Sequence, residues 1–232
     1  MNFPSGEWVR HPALSRAVDE TLFHLINQSW TAPALDRVMA AASSFDLWWP
    51  LILLAVGLTA WRGGARARWF LITLGVLLAL GEAAVSNPLK HAVHRLRPWQ
   101  AMAGVREVDL ARGVRPRLLA LARPVEVKVT TAPMELSPRD PQPGRSFPSS
   151  HVVNNFCAAV ALALFYGRRG AWYFLPAALV AYSRVYVGAH WPSDVLVSMV
   201  LAVGLALLVV AGVQRVARHW GHPAPETAGP GE

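Results

Sequence analysis

The chain has 232 residues, of which 53% are hydrophobic and only 16% charged, with ten tryptophans and a formal net charge of +8 at pH 7. That balance excludes an ordinary soluble domain and points to a small polytopic membrane protein. The positive excess is not gathered into a compact basic domain with interleaved aromatics, so nucleic acid is a poor partner, and anionic membrane lipid and a phosphorylated substrate are better ones.

Residues 1–12 are polar and contain Pro4 and Pro12; they read as an irregular tail. They lack the basic start and apolar core of a signal peptide, so the first membrane segments are expected to direct insertion. Over residues 15–28, Ala17, Val18, Leu22, Leu25 and Ile26 recur at helical spacing, broken by Asp19, Glu20 and His24. An amphipathic helix lying in the membrane interface is predicted there. Residues 27–33 form a turn, and residues 35–42 a short helix.

Apolar runs follow at residues 47–61, 69–88, 152–166, 171–187 and 195–213, each about 15–20 residues and so near the length that crosses a bilayer. Five spans are predicted. Trp48 and Trp49 mark one interface of the first, and Trp61 the other. The expected fold is therefore an all-α integral membrane bundle in one domain, residues 1–232. Its parts are a tail with interfacial helices (1–45), two spans (47–94), an insert (95–147), three more spans (148–219) and a disordered tail (220–232). The single cysteine, Cys157, lies inside an apolar run, which excludes an internal disulfide and a thiolate metal cluster.

Topology follows from the short loops. Arg62, Arg66 and Arg68 lie between the first two spans, Arg168 and Arg169 between the third and fourth, and Arg215 and Arg218 after the fifth. By the positive-inside rule all three segments face the cytoplasm. The span ends near Lys90, Ser149 and His190 then lie together on the extracytoplasmic side. Residues 95–147 carry ten arginines and lysines against five acids, but the rule counts short loops, and a long segment translocates despite its charge. Within that insert, Arg115, Arg117 and residues 125–130 suggest a small ordered element or lid, with Pro141, Pro143 and Gly144 as a flexible return.

Three motifs meet on this outer side. The first runs from Lys90 to Pro98, KHAVHRLRP. Continued as a helix, it would put Lys90 and Arg97 on one face about 10 Å apart along the axis, with Pro98 making Arg97 a terminal residue. Taken alone, these are also what snorkelling interfacial cations look like. His91 and His94, three residues apart with no nearby carboxylate, are a weak metal signal. The second motif is FPSSH, residues 147–151. Here Ser149 is an N-cap candidate, the following N–H groups suit an anion, and His151 sits beside it. A plain helix cap fits equally well. The third is SRVYVGAHWPSD, residues 183–194. Arg184 can fork a phosphate, His190 can act as nucleophile or base, and Asp194 lies four residues on in a helix begun by Pro192.

Together the three motifs resemble the signature of the type-2 phosphatidic acid phosphatase superfamily, membrane lipid phosphatases that share an active site with vanadium haloperoxidases and bacterial acid phosphatases. That signature is a lysine, six residues and Arg-Pro; then Pro-Ser-x-His; then Ser-Arg, five residues, His, three residues and Asp. Every charged and histidine position is filled in order, over roughly residues 90–194. One departure is Ser150, where glycine is common.

The resemblance implies six spans rather than five, and an enzyme that hydrolyses a lipid phosphate or diphosphate. It makes His190 the nucleophile that forms a phosphohistidine, with Asp194 fixing its tautomer and stabilising its charge. His151 becomes the acid for the leaving oxygen. Lys90, Arg97, Arg184, Ser149 and the Ser150 backbone hold the phosphate. No metal or other cofactor is expected, because three cationic side chains take the role of an ion. Undecaprenyl diphosphate is the preferred substrate, at the outer face of a bacterial cytoplasmic membrane. Phosphatidylglycerophosphate, phosphatidic acid and lipid A phosphates remain alternatives. A non-catalytic lipid-phosphate binder or a transporter is the reading from another class, with the in-span acid Glu82 as its one support.

Overall fold

A computed structural model describes residues 13–134 and 144–219. The expected tails at 1–12 and 220–232, and Pro141 and Pro143 of the expected return, lie outside the described residues. The described residues are mostly helical. Helix α1 (Ala13–His24) runs into a π-helical turn, Leu25–Ser29. Next come α2 (Pro33–Ser43), α3 (Phe45–Arg62) and α4 (Ala65–Leu80). A second π-helical turn, Gly81–Ser86, joins α4 to α5 (Asn87–Val93), and one further turn makes α6 (Pro98–Ala101). The last three helices are α7 (Ser150–Ala171), α8 (Phe174–Tyr186) and α9 (Pro192–His219).

Three of these stretches are long and apolar enough to cross a membrane: Ala65–Ala101, Ser150–Ala171 and Pro192–His219. Helices α2 and α3, bent by 52° where they meet, make a fourth if the pair is one span. The protein is thus an all-α, multi-pass membrane protein. The predicted fourth span corresponds to α8, whose 13 residues cover only about 20 Å at the helical rise, short of the hydrocarbon core. Among the described residues, α8 thus falls outside the stretches of spanning length.

Small side chains let the central helices approach closely. Cys157, Ala159 and Ala161 of α7 and Ala202 and Ala206 of α9 are all buried in the main core, and Cys157 Sγ lies 3.6 Å from the Ala202 carbonyl oxygen. In a bilayer such packing, rather than escape from water, holds helices together. Lipid-facing residues stay apolar: Val200 is 71% exposed and Leu208 74%. The turn after the third span is set by Gly167, whose φ of 57° breaks α7 before Arg168 and Arg169.

The N-terminal helix, expected to lie in the interface, packs its Asp19 face against the bundle. Asp19, Phe23 and Asn27 are buried, while Val18 and Leu22 are exposed, and Phe23 stacks against Trp191 at 5.4 Å between ring centroids. In lipid surroundings the apolar stripe can face outward, so amphipathicity alone does not say which face is buried. The insert is ordered where it was expected to be. Strand β1 (Arg106–Asp109) pairs antiparallel with β2 (Glu126–Val129), with Arg106 opposite Val129, and a 3-10 turn, Arg117–Ala122, lies between them.

Candidate active site

The third motif is built as a tight reversal between α8 and α9. The backbone N–H groups of Ala189 and His190 both donate to the Arg184 carbonyl, each at 3.1 Å. Gly188 turns the chain at φ 77°, where a Cβ would stand 2.7 Å from the Arg106 carbonyl oxygen. His190 is therefore delivered 3% exposed at the head of α9, and Asp194, in its first turn, is fully buried.

His190 is oriented by a group no motif announced. Its Nδ1 lies 2.6 Å from the Ser146 backbone carbonyl oxygen. A carbonyl only accepts, so Nδ1 carries the proton and Nε2 keeps its lone pair. Asp194 Oδ2 is 3.8 Å from Nδ1, beyond a hydrogen bond. It accepts instead from Ser146 Oγ at 2.5 Å and from the Trp191 backbone N–H at 3.1 Å. The expected direct contact between Asp194 and His190 is thus replaced by one through Ser146, because the i, i+4 spacing here spans the start of a helix rather than one of its turns. Burial pushes the His190 imidazole down to about 4; nearby Asp194 opposes this, while Arg184 and Arg97 reinforce it. The ring is neutral near pH 7.

The cations reach the site from three separate elements. Lys90 donates to Ser150 Oγ at 2.6 Å and lies 3.6 Å from Glu82. The side chain at the unusual position of the second motif therefore holds the lysine. Glu82 is paired and 43% exposed, so it marks no buried ion path. Arg97 does not continue the Lys90 helix. Helix α5 ends at Val93, His94 turns at φ 49°, and Arg97 is extended as the N-cap of α6, its N–H donating to Gln100 Oε1 at 3.0 Å. The shared-face expectation fails because the left-handed His94 ends the helix before Arg97 is reached, and Pro98 disfavours helix at Arg97 itself. The two cations come together through the fold instead. Arg184 donates to Ser43 Oγ at the end of α2.

Ser149 caps α7 by position, but its hydroxyl does not close onto the helix. Its N–H donates to Ser198 Oγ at 2.9 Å, leaving Ser149 Oγ buried without a protein partner, as is Arg184 Nε. Two unpaired buried groups among the motif residues suit an incoming anion. His151, one residue into α7, is within electrostatic reach of Arg184, His190, Arg97 and Lys90. All eight predicted residues thus converge on one end of the bundle.

Sequence reading missed the support of Asp194. Arg95 donates to Asp194 Oδ1 and to Asp19 Oδ2, each at 2.5 Å, and to Ser193 Oγ at 2.8 Å. Asp19 accepts in turn from Ser193, from its N–H at 2.9 Å and its hydroxyl at 2.6 Å. The signals were weak but present. Arg95 is a third cation inside the first motif, and Asp19 is an acid inside an otherwise apolar helical period.

The chain is 36% identical over 95 residues to an undecaprenyl-diphosphatase of Sulfolobus acidocaldarius. That match spans 40% of this chain and 44% of the relative, less than half the length of either. The fold is similar to crystal structures of LpxE from Aquifex aeolicus (TM-score 0.50, 20% identity, 84% of this chain and 95% of that one) and of a transmembrane PAP2-type phosphatidylglycerolphosphate phosphatase from Bacillus subtilis (TM-score 0.55, 21% identity, 90% of each). The family model of the PAP2 superfamily matches residues 69–218, which takes in all three motifs and most of the chain. This chain belongs to the PAP2 superfamily.

Proposed function

We propose that the protein is an integral-membrane phosphatase that hydrolyses a lipid phosphate or diphosphate at the extracytoplasmic face of the cytoplasmic membrane. The observation that carries this reading is a neutral, buried His190 that keeps its Nε2 lone pair, together with the unpaired buried Ser149 Oγ and Arg184 Nε of the other motifs. Lys90, Arg97 and Arg184 neutralise the phosphoryl oxygens. His190 Nε2 attacks phosphorus in line, the lipid oxygen leaves with a proton from His151, and a phosphohistidine forms. His151 then takes a proton from water, the water oxygen attacks phosphorus, and inorganic phosphate leaves as the imidazole is restored. The buried Asp194 carboxylate stabilises the positive imidazole in between. With three cationic side chains on the phosphate, the reaction as drawn uses no metal ion.

Undecaprenyl diphosphate is the proposed substrate, supported by the named relative and by a site set where membrane helices end. The test is phosphate release by the detergent-purified protein from undecaprenyl diphosphate, phosphatidylglycerophosphate, phosphatidic acid and lipid A, with chelator present and His190→Ala as control. Chelator-resistant release that vanishes in the variant is the expected result, and the ranking of the four lipids names the substrate. A folded protein that releases phosphate from none of them would instead be a lipid-phosphate binder.

A further inference from the structure

The Arg95 cluster is more than a tie between helices. One guanidinium, 13% exposed, is divided between two carboxylates that are 5% and 0% exposed, Asp19 and Asp194. Its face also lies over the Trp191 ring, 5.5 Å from the centroid, and the indole N–H is fixed on the Leu96 carbonyl at 2.8 Å. The fork therefore has little freedom to swing. Because Arg95 occupies Asp194 Oδ1, the other oxygen, Oδ2, is left facing Ser146 and His190. Asp19 holds the far side of the same fork and fixes Ser193, the residue beside Asp194. Arg95, at an unassigned position of the first motif, and Asp19, outside all three motifs, thus hold the Asp194 carboxylate and its neighbour Ser193.

We propose that Arg95 and Asp19 are positioning residues that aim the Asp194 carboxylate at His190 and set the electrostatic balance at the imidazole. This rests on reading His190 as the reacting residue. The two have opposite signs, and that separates tuning from mere bracing. Removing the Arg95 charge leaves Asp194 uncompensated and makes the imidazole easier to protonate. Removing the Asp19 charge frees Arg95 and makes it harder. A structural brace would weaken in the same way whichever end is cut. The other ionisable groups facing His190, namely Asp194 from α9, Arg184 from α8, Arg97 before α6 and His151 from α7, stay in place in both variants.

The experiment is an NMR titration of the His190 imidazole in the detergent-solubilised full chain, assigned with His190→Ala, in wild type, Arg95→Gln, Arg95→Lys and Asp19→Asn. Phosphate release from undecaprenyl diphosphate and thermal unfolding are measured on the same samples. Arg95→Gln should raise the His190 midpoint by about one unit, a tenfold gain in proton affinity, and Asp19→Asn should lower it by about half a unit. Arg95→Lys, which keeps the charge without the fork, should fall between wild type and Arg95→Gln. Turnover should drop about 10–100-fold in Arg95→Gln, with KM within about threefold, as for a residue that supports a reacting group. If Arg95→Gln does not fold, Asp19→Asn and Arg95→Lys carry the same test. Midpoints that stay put or move in one direction would overturn the proposal, whatever the activity. Opposite shifts in a protein that releases no phosphate would uphold it while sinking the phosphatase reading.

Discussion

Two buried arginine clusters tie the N-terminal helices to the rest of the bundle, and they differ in how their charge closes. In one, Arg106 donates to both oxygens of Asp36, at 3.0 and 2.8 Å, and the Tyr186 hydroxyl donates to the same carboxylate at 2.6 Å. Asn27 completes it, accepting from the Arg106 N–H at 2.9 Å and donating to the Tyr186 carbonyl at 2.7 Å. One cation meets one anion, and every polar arm turns inward. In the other, Arg95 meets both Asp19 and Asp194, so one cation faces two anions, and Asp194 Oδ2 lies 3.8 Å from His190 Nδ1. A closed, neutral cluster pins β1, α2 and α8 together. An open one with surplus negative charge can also support an imidazole that becomes positive during a reaction.

The contrast is broken most directly at His190. His190→Ala should reduce phosphate release by about 10⁴-fold or more, because a covalent route has no substitute for its nucleophile; an active variant would remove the Asp194 side from the chemistry. Arg184→Gln should cost about a thousandfold in turnover, as loss of a charge-stabilising donor does, measured with thermal unfolding to confirm the fold.

The Asp36 side should answer through stability alone. Asp36→Asn leaves Arg106 buried without its anion and should destabilise the protein by about 3 kcal/mol, read from detergent-phase unfolding. Release per folded molecule should change by less than about threefold, within the scatter of a site away from the reacting groups. A large loss of turnover would show that the two clusters are not separate.

A pH series sharpens the same point. His190 titrates near 4 in the folded protein against an ordinary 6.5, so the unfolded chain takes the proton first. Its contribution to stability is complete above pH 6.5 and declines as pH falls toward 4. Unfolding temperatures measured across that window should slope, and His190→Ala should flatten the slope.

The smallest effect is expected at Ser150→Gly, which removes the hydroxyl that holds Lys90. A rise in KM of about two- to fivefold, with turnover little changed, is the expected loss of one hydrogen bond to a charged group that remains in place.

Much of this was legible in the sequence because it is local. Apolar runs of membrane-spanning length, Ser149 at the start of α7 and Pro192 at the start of α9 all depend on a few adjacent residues and on helix geometry. The order and spacing of the motif residues likewise named the eight side chains that converge. The path of the chain between them was not legible. Reading Lys90 and Arg97 on one helical face assumed that a spacing of seven implies a helix. The left-handed turn at His94 and extended Arg97 bring them together by another route.

The sequence by itself determined the membrane class and the family, and singled out the eight residues proposed to handle a phosphate. The tertiary structure alone decided what governs them. The Ser146 carbonyl on His190 is 44 residues away in the chain, Arg95 is 99 from Asp194, and Asp19 is 174 from Ser193. No periodicity links such positions. They meet because, with water excluded, each buried charge must find a partner, and folding chooses that partner from the whole chain.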